Sequence, residues 1–398
     1  MLKRRPFSLN RRRLVGIVLL LLLLLSLPLL VFLIKQQSKE GITMSQRAAS
    51  HVLTTPRSAA SPMSINPHRT ASPMPNTPHA LASYPANIDL ETISSYGTYN
   101  AAALTNPTIS AVDINLNWIN VEPGQGVFNW APADQEMAAW VAHGKKFTLI
   151  VRYIKEGASS DACTSAQFLP AWEIARIQSL CSHGILLPDY FDPTFTADLK
   201  GFVNAIAEHI DASLYKENLL YIRIGVGEGG EGFPFNPNYA SEVRPQFEAW
   251  GYTPTHWAAW QKELMAYYQS VFPQTTIIYP VNSQDTDPAT GQNVSVENAN
   301  WAAAYGFGVG QQGLQPGTNS PLLQSLRVRY PTLYIQYQTI GVVDSYTAVQ
   351  ADIQAAEING AQSIEWYSPN AVDPTYQSLF VQWQQTVNSK FGGIASSP

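Results

Sequence analysis

The stretch Leu219–Phe235, LLYIRIGVGEGGEGFPF, joins an apolar strand, a glycine-rich bend and two acidic residues. In its first half, aliphatic side chains alternate with polar residues or glycine, which is the period of a β-strand with one apolar face. The glycines of GEGGEG allow the backbone to turn sharply and to approach a ligand closely. Glu228 and Glu231 therefore lie at the carboxyl end of a strand, where parallel-barrel enzymes carry their acid and base groups.

The same order of short strand, turn and helical stretch repeats from about residue 84 to residue 392. We predict strands at Asn87–Ile93, Ser110–Trp118, Lys146–Tyr153, Leu219–Gly227, Thr276–Val281, Ala302–Gly308, Leu333–Gln338 and Ser363–Tyr367. We predict helices at Tyr96–Leu104, Ala133–His143, Phe195–Ile210, His256–Phe272, Pro321–Tyr330, Ser345–Asn359 and Pro374–Phe391. Strands alternating with helices in this way predict an α/β fold, a single (β/α)₈ TIM barrel over residues 84–398.

Three segments precede the predicted barrel. Residues 1–13 carry six positive charges, and residues 14–34 form an apolar run long enough to span a bilayer. The positive-inside rule then places the N-terminus in the cytoplasm and the barrel on the outer side. Residues 35–83, rich in Ser, Thr and Pro, predict a disordered linker. The alternative is a cleaved signal peptide and a secreted barrel, although no small-x-small cleavage site follows the run.

Charge and histidine spacing limit the partners. Residues 1–47 hold nine of the 24 basic residues and one of the 29 acidic residues, so the remainder is acidic and shows no basic stripe. This composition argues against nucleic acid as a partner. The histidines show no metal-binding spacing, and we expect neither a metal nor another cofactor. The oligomeric state stays open.

The two cysteines, Cys163 and Cys181, lie 18 residues apart in one loop-like region. If the barrel is outside the cell, a disulfide between them is the expected state. The alternative is a buried pair of free thiols.

Strand alternation brings several polar side chains towards one cavity. If the apolar faces lie under the helices, the inward-pointing residues are Arg152, Arg223, Gln336, Gln338 and Glu365. Glycosidic hydrolysis needs one carboxylic acid and a second carboxylate. Glu231 or Glu228 is the candidate acid and Glu365 the candidate partner, although Glu365 equally suits an interior ion pair with Arg223. Aromatic side chains that can stack on a sugar include Trp118, Trp366 and Tyr367.

The segment WINVEPGQGVFNWAPADQEMAAWVAHGKKFTLIVRY, residues 118–153, resembles the second-to-third-strand unit of barrel glycoside hydrolases, especially the family 42 β-galactosidase type. The matching positions are Trp118, Glu122, Pro123, Gly126, Phe128, Trp130, Asp134, Gly144 and Lys145. The Gly-x-x-Gly-Glu bend is similar to the strand-four acid motif of β-amylases, which implies Glu231 as the acid. Position at the strand tip alone implies Glu228.

The resemblance implies a glycoside hydrolase that acts on an oligosaccharide or polysaccharide. Together with the apolar run at residues 14–34, it leads to the expectation of a membrane-anchored, outward-facing enzyme. The seventh predicted strand departs from the pattern, because it carries Gln336 and Gln338 where the family shows a nucleophilic glutamate. An alternative is therefore a catalytically inactive barrel that binds glycans. A further alternative is a surface scaffold that recognises another protein through an exposed apolar patch.

Overall fold

The computed structural model describes residues 90–93, 97–156, 163, 168–282 and 285–391. They all belong to one compact unit, Arg69–Pro398. The predicted basic segment 1–13, the predicted anchor 14–34 and the predicted linker 35–83 lie outside the described residues. Within the described ranges, the helices are too short or too polar to cross a membrane.

Eight parallel strands form a closed barrel, which confirms the predicted fold class. The strands are β1 (Leu90–Ile93), β2 (Ile109–Asn117), β3 (Lys146–Arg152), β4 (Leu219–Ile224), β5 (Thr276–Pro280), β6 (Gly308–Leu314), β7 (Ile335–Thr339) and β8 (Ser363–Trp366). Each strand pairs with its neighbours in chain order, and β1 pairs with β8 to close the barrel. The carboxyl ends of all strands therefore meet at one rim, where the βα loops lie.

Helices cover the outside of the barrel. They are α1 (Ala101–Thr105), α2 (Trp118–Val121), α3 (Ala131–Ala142), α4 (Ala171–Ile174), α5 (Pro193–Ala212), α6 (Ala240–Ala249), α7 (Pro254–Val271), α8 (Val294–Ala304), α9 (Pro321–Arg329), α10 (Tyr346–Ile358), α11 (Ser368–Val372) and α12 (Gln377–Phe391). Two antiparallel hairpins lie in the loops, Ser179–Ser182 with Ile185–Pro188 and Thr286–Asp287 with Gln292–Asn293. Short 3₁₀ turns occur at Lys216–Asn218, Glu228–Gly230 and Pro237–Tyr239.

Local sequence explains where the longest helix begins. The Asp192 side chain accepts a hydrogen bond from the Thr194 backbone N–H at 2.7 Å, and Pro193 occupies the first helical position of α5. An N-cap carboxylate satisfies a backbone donor that the helix itself leaves unpaired, and proline needs no such partner there. The apolar face of α5, including Phe195, Phe202 and Ile206, is buried against the barrel.

The predicted sixth strand, Ala302–Gly308, was wrong, because residues up to Ala304 belong to α8 and the strand is Gly308–Leu314. The glycine-rich segment Gly306–Gly313 is therefore mostly the strand itself. Its glycines accommodate neighbouring side chains inside the barrel. A Cβ on Gly308 would lie 2.3 Å from Ile278 Cδ1, and one on Gly310 would lie 2.5 Å from Gln336 Oε1.

The helix predicted at Tyr96–Leu104 is shorter in the structure, where α1 spans Ala101–Thr105. The Asn100 side chain accepts a hydrogen bond from the Ala102 backbone N–H at 3.0 Å and starts the helix there.

Asp352 on α10 provides a stability test. It is fully buried, and neither carboxylate oxygen has a hydrogen-bond partner among the described residues. Burial raises the pKa of Asp352 from 3.8 to about 7. The folded state therefore holds this proton more tightly than the unfolded state, and the free energy of unfolding falls as the pH rises from about 4 to about 7.

We expect Asp352→Asn to raise the free energy of unfolding by about 1–3 kcal/mol at pH 8 and to change it little at pH 4. Urea denaturation followed by tryptophan fluorescence measures both values. Asp211→Asn, at an exposed position of α5, is the matched control and should change neither. An equal effect of Asp352→Asn at the two pH values would contradict this account.

Candidate active site

The backbone of the glycine-rich bend after β4 lies directly against the backbone of neighbouring segments. A Cβ on Gly225 would lie 2.1 Å from the Val151 carbonyl oxygen, and one on Gly227 would lie 1.8 Å from the Phe233 carbonyl oxygen. Gly229 and Gly230 have φ values of 68° and 84°, in the left-handed region that favours glycine. The Gly227 N–H donates to the Glu231 carbonyl oxygen at 2.7 Å and closes the bend. These contacts explain why the strand ends in GEGGEG.

The two glutamates of the bend occupy different environments, and Glu228 supports the loop that follows. Its side chain is fully buried, and Oε2 accepts a hydrogen bond from the Asn236 backbone N–H at 2.7 Å. Burial and contact with Glu228 raise the pKa of Tyr239. Trp257 Nε1 donates to the carbonyl oxygen of Gly232 at 2.9 Å, which holds the same loop on α7.

Glu231 lies at the end of the bend after β4 and is 9% exposed. Burial raises the pKa of Glu231 to about 7. A hydrogen bond from Asn282 Nδ2 to Oε2 and the charges of Arg223 and Arg152 lower it, while the charge of Glu156 raises it further. A carboxyl group in this state holds its proton close to neutral pH, as a general acid requires.

Arg223 of β4 is the centre of a buried polar cluster. Its Nη1 donates to Glu365 Oε2 at 2.9 Å and to Gln338 Oε1 at 3.1 Å, and its Nη2 lies 3.6 Å from Asp113 Oδ2. The Tyr221 hydroxyl donates to Glu365 Oε1 at 3.1 Å. Burial raises the pKa of both carboxyl groups, and the charge of Arg223 opposes this effect. The structure thus places Glu365 in the interior ion pair that the sequence left as an alternative.

Of the five residues predicted to point inwards, four lie together. Arg223, Gln338 and Glu365 form the cluster, and the charge of Arg152 at the end of β3 interacts with Glu231, Asp113 and Glu365. Gln336 is fully buried and its Nε2 donates to the Tyr337 carbonyl oxygen at 2.8 Å. Gln336 therefore belongs to the interior packing of the barrel.

The indoles proposed for sugar stacking lie in the core. Trp118 is fully buried and stacks on Phe202 at 5.0 Å between ring centroids, and its Nε1 donates to Glu122 Oε2 at 2.7 Å. Trp366 is fully buried and packs against Phe380 of α12 at 5.2 Å. Neither ring has a surface available to a sugar. Tyr367, directly after β8, is partly buried.

The cysteine prediction is confirmed, because Cys163 and Cys181 form a disulfide with Cα atoms 5.8 Å apart. The bond ties Cys163, in the connection after β3, to the first strand of the hairpin at 179–188. At the tip of this hairpin, His183 stacks on Tyr239 with ring centroids 3.8 Å apart. The disulfide therefore couples the β3 connection to the loop that supports Glu228.

Sequence reasoning missed Asn282 and Glu156, which lie beside Glu231, and Asp113, which belongs to the Arg223 cluster. Asn282 follows β5 by two residues, Asp113 faces inwards from β2, and Glu156 follows β3. The alternation of Asp113 with Val112 and Ile114 was a usable signal. For Asn282 and Glu156 the sequence carries no such signal, because both lie in loops. Among the described residues, no group of histidine, cysteine and acidic side chains is arranged to hold a metal ion.

The fold resembles solved glycoside hydrolase structures. The catalytic domain of β-amylase from Paenibacillus polymyxa has a TM-score of 0.54 at 12% identity, covering 79% of this chain and 100% of that chain. An exo-β-1,4-mannosidase from Opitutaceae bacterium strain TAV5 has a TM-score of 0.47 at 12% identity, covering 78% of this chain and 61% of that chain.

Endo-glycoceramidase II from Rhodococcus sp., as its lactosyl-enzyme intermediate, has a TM-score of 0.42 at 14% identity, covering 71% of this chain and 73% of that chain. No protein-family model matches the chain, and no curated protein matches it. At 12% identity and a TM-score of 0.54, the similarity to the β-amylase domain supports the α/β parallel-barrel fold alone. The family 42 resemblance stays a prediction.

The cluster around Arg223 generates a stability prediction. Arg223→Met should lower the free energy of unfolding by about 3–5 kcal/mol, because Asp113 and Glu365 would stay buried without their cation. Chemical denaturation measures the loss. Arg329→Met, at an exposed position of α9, is the control. Adding Glu365→Gln to Arg223→Met should recover part of the loss, and a double variant no more stable than the single one would argue against the ion pair.

Proposed function

We propose that this protein is a glycoside hydrolase that cleaves O-glycosidic bonds of an oligosaccharide or polysaccharide, with Glu231 as the general acid. The observation that carries the proposal is the state of Glu231. Glu231 lies in the bend after β4, the residue is 9% exposed, and burial raises the pKa of its carboxyl group to about 7. Protonation of a leaving oxygen needs an acid that is still protonated near the working pH.

Glu231 is favoured over Glu228 because their contacts differ. Glu228 is fully buried and accepts a backbone hydrogen bond, which is a structural task. Glu231 faces the arginines of the barrel interior and keeps contact with solvent. We assign the binding of sugar hydroxyls to Arg152, whose charge acts on Glu231, and to Gln338, which accepts a hydrogen bond from Arg223. Tyr367, directly after β8, is the aromatic candidate.

The proposed location is the outer face of a membrane, with residues 14–34 as a single-pass anchor, residues 1–13 in the cytoplasm and residues 35–83 as a tether. The Cys163–Cys181 disulfide supports an oxidising compartment for the barrel. If the apolar segment is cleaved, the same barrel is secreted.

Protease treatment of intact cells that make the full-length chain tests this location. We expect the barrel to be digested from outside while a short N-terminal fragment stays with the membrane. Complete protection of the barrel in intact cells, with digestion after lysis, would place it on the inner side.

A second candidate function is glycan binding without catalysis. The observation that favours it is that the barrel interior offers no free carboxylate on β7 or β8 among the described residues. Glu365 is bound to Arg223, and β7 contributes Gln336 and Gln338 where a nucleophile would be expected. In that case the full-length chain would bind glycans but would not hydrolyse them.

Glu231→Gln should lower kcat/KM on unactivated glycosides by about 10²–10⁴-fold, because amide nitrogen cannot supply the proton. The assay uses the full-length chain with a panel of aryl glycosides and oligosaccharides. For the wild type, kcat/KM should fall as the pH rises above the pKa of Glu231, about 7, because the acid loses its proton there.

Glu248→Gln, at an exposed position of α6, is the matched control and should keep full activity. A cooperative thermal unfolding transition shows that both variants are folded. Unchanged turnover in Glu231→Gln would show that Glu231 is not the general acid. Glycan binding without turnover by the wild type would favour the second candidate function.

A further inference from the structure

A glycosidase needs a second carboxylate, and three acids of the barrel interior and of the bend after β4 are already engaged. Glu365 is fully buried and bonded to Arg223 and Tyr221. Asp113 is 1% exposed and accepts a hydrogen bond from the Thr148 hydroxyl at 3.1 Å. Glu228 holds the Asn236 backbone N–H. Movement of any of these side chains to a substrate would leave a buried donor or cation unpaired, which is costly.

Glu156 differs from these residues because it is exposed at the catalytic rim. It follows β3 by four residues, and β3 is paired with β4, the strand that leads to Glu231. No ion pair to Glu156 occurs within the described part of the chain. Loops at this end of a parallel barrel carry the reacting groups of barrel enzymes.

Gly229 lies between the two carboxylates. A Cβ on Gly229 would be 3.5 Å from Glu156 Cβ and 3.8 Å from Glu231 Cγ. The side chains of Glu156 and Glu231 therefore flank the same glycine, with no side chain of residue 229 between them. The negative charge of Glu156 also raises the pKa of Glu231, as expected for carboxylates that share one site.

We infer that Glu156 is the second catalytic carboxylate of this site, acting as the general base that activates water. The inference rests on the proposed function and adds its missing partner. It also explains how a barrel with amides on β7 can hydrolyse a glycoside, because the base comes from the loop after β3.

The step balances without a cofactor. Glu156 accepts a proton from water, and the water oxygen forms a bond to the anomeric carbon. The bond from that carbon to the leaving oxygen breaks, and Glu231 donates its proton to the leaving oxygen. Glu156 ends protonated and Glu231 ionised, and exchange with solvent restores both. Attack by water on the face opposite the leaving group inverts the anomeric centre.

A general base suits the position of Glu156 better than a nucleophile does. A nucleophile must be held within bonding reach of the anomeric carbon by neighbouring groups. Glu156 is exposed to solvent, and no basic side chain among the described residues holds its carboxylate in an ion pair. A base that acts through a water molecule requires contact with water and a nearby acid, and Glu156 has both.

The first experiment compares leaving groups, using 4-nitrophenyl and 2,4-dinitrophenyl glycosides of the sugar that the full-length wild type hydrolyses. Glu156→Gln should lower kcat/KM by about 10²–10⁴-fold on both substrates, because each needs activated water. Glu231→Gln should lose less activity on the dinitrophenyl glycoside, whose leaving group needs no proton. Glu217→Gln, an exposed glutamate at the opposite end of the barrel before β4, should match the wild type on both.

The second experiment supplies a replacement nucleophile. Sodium azide added to Glu156→Ala should restore turnover of the dinitrophenyl glycoside and yield a glycosyl azide of inverted configuration. NMR of the initial product of the wild type should likewise show inversion. A Tm equal to that of the wild type shows that Glu156→Ala is folded.

The outcomes separate this inference from the proposed function. Loss of activity in Glu231→Gln together with full activity in Glu156→Gln would overturn the role of Glu156 alone. Retention of configuration in the wild-type product would overturn its role as the base. Absence of turnover by the wild type would overturn the proposed function and this inference with it.

Discussion

The buried cation of Arg223 is the interaction on which the interior of this barrel depends. It lies on β4 and contacts Glu365 from β8, Gln338 from β7 and, at 3.6 Å, Asp113 from β2. Carboxylates in such a place are stable only with a compensating charge and additional hydrogen bonds. Arg223 supplies the compensating charge and the hydrogen bonds. It thereby links strands from different parts of the chain and allows the centre of the barrel to be polar.

A polar interior in turn sets the conditions at the rim. Burial raises the pKa of Glu231, while Arg152 and Arg223 lower it by their charge. The balance leaves a carboxyl group that titrates near neutral pH in a place that still meets solvent. Glu228, three residues earlier, is drawn into the loop and fully buried. Glu228 therefore supports the loop, and Glu231 is left for chemistry. The two glutamates can lie in different environments because the glycines of the bend allow the backbone to reverse within four residues.

Much of the barrel could be predicted from sequence periodicity. Strand alternation correctly separated Arg223 and Glu365 from Ile222 and Trp366, since successive side chains in a strand point to opposite faces. The sixth strand could not be found in this way, because Gly308 and Gly310 carry no apolar pattern and are required by the side chains of Ile278 and Gln336. The alanine-rich segment before it was mistaken for a strand, although it forms the end of α8.

The sequence by itself determined the fold class and the glycine bend with its two acids, since each depends on local pattern. It predicted the disulfide only for a barrel outside the cell, and the structure shows the bond. Only the tertiary structure decided which acid is held by Asn236 and which faces the arginines, that Glu365 is bound to Arg223, and that Glu156 and Asn282 lie beside Glu231. The physical reason is that burial and electrostatic partners come from strands and loops far apart in the chain. Barrel closure brings them together, and no local pattern records which of them will meet.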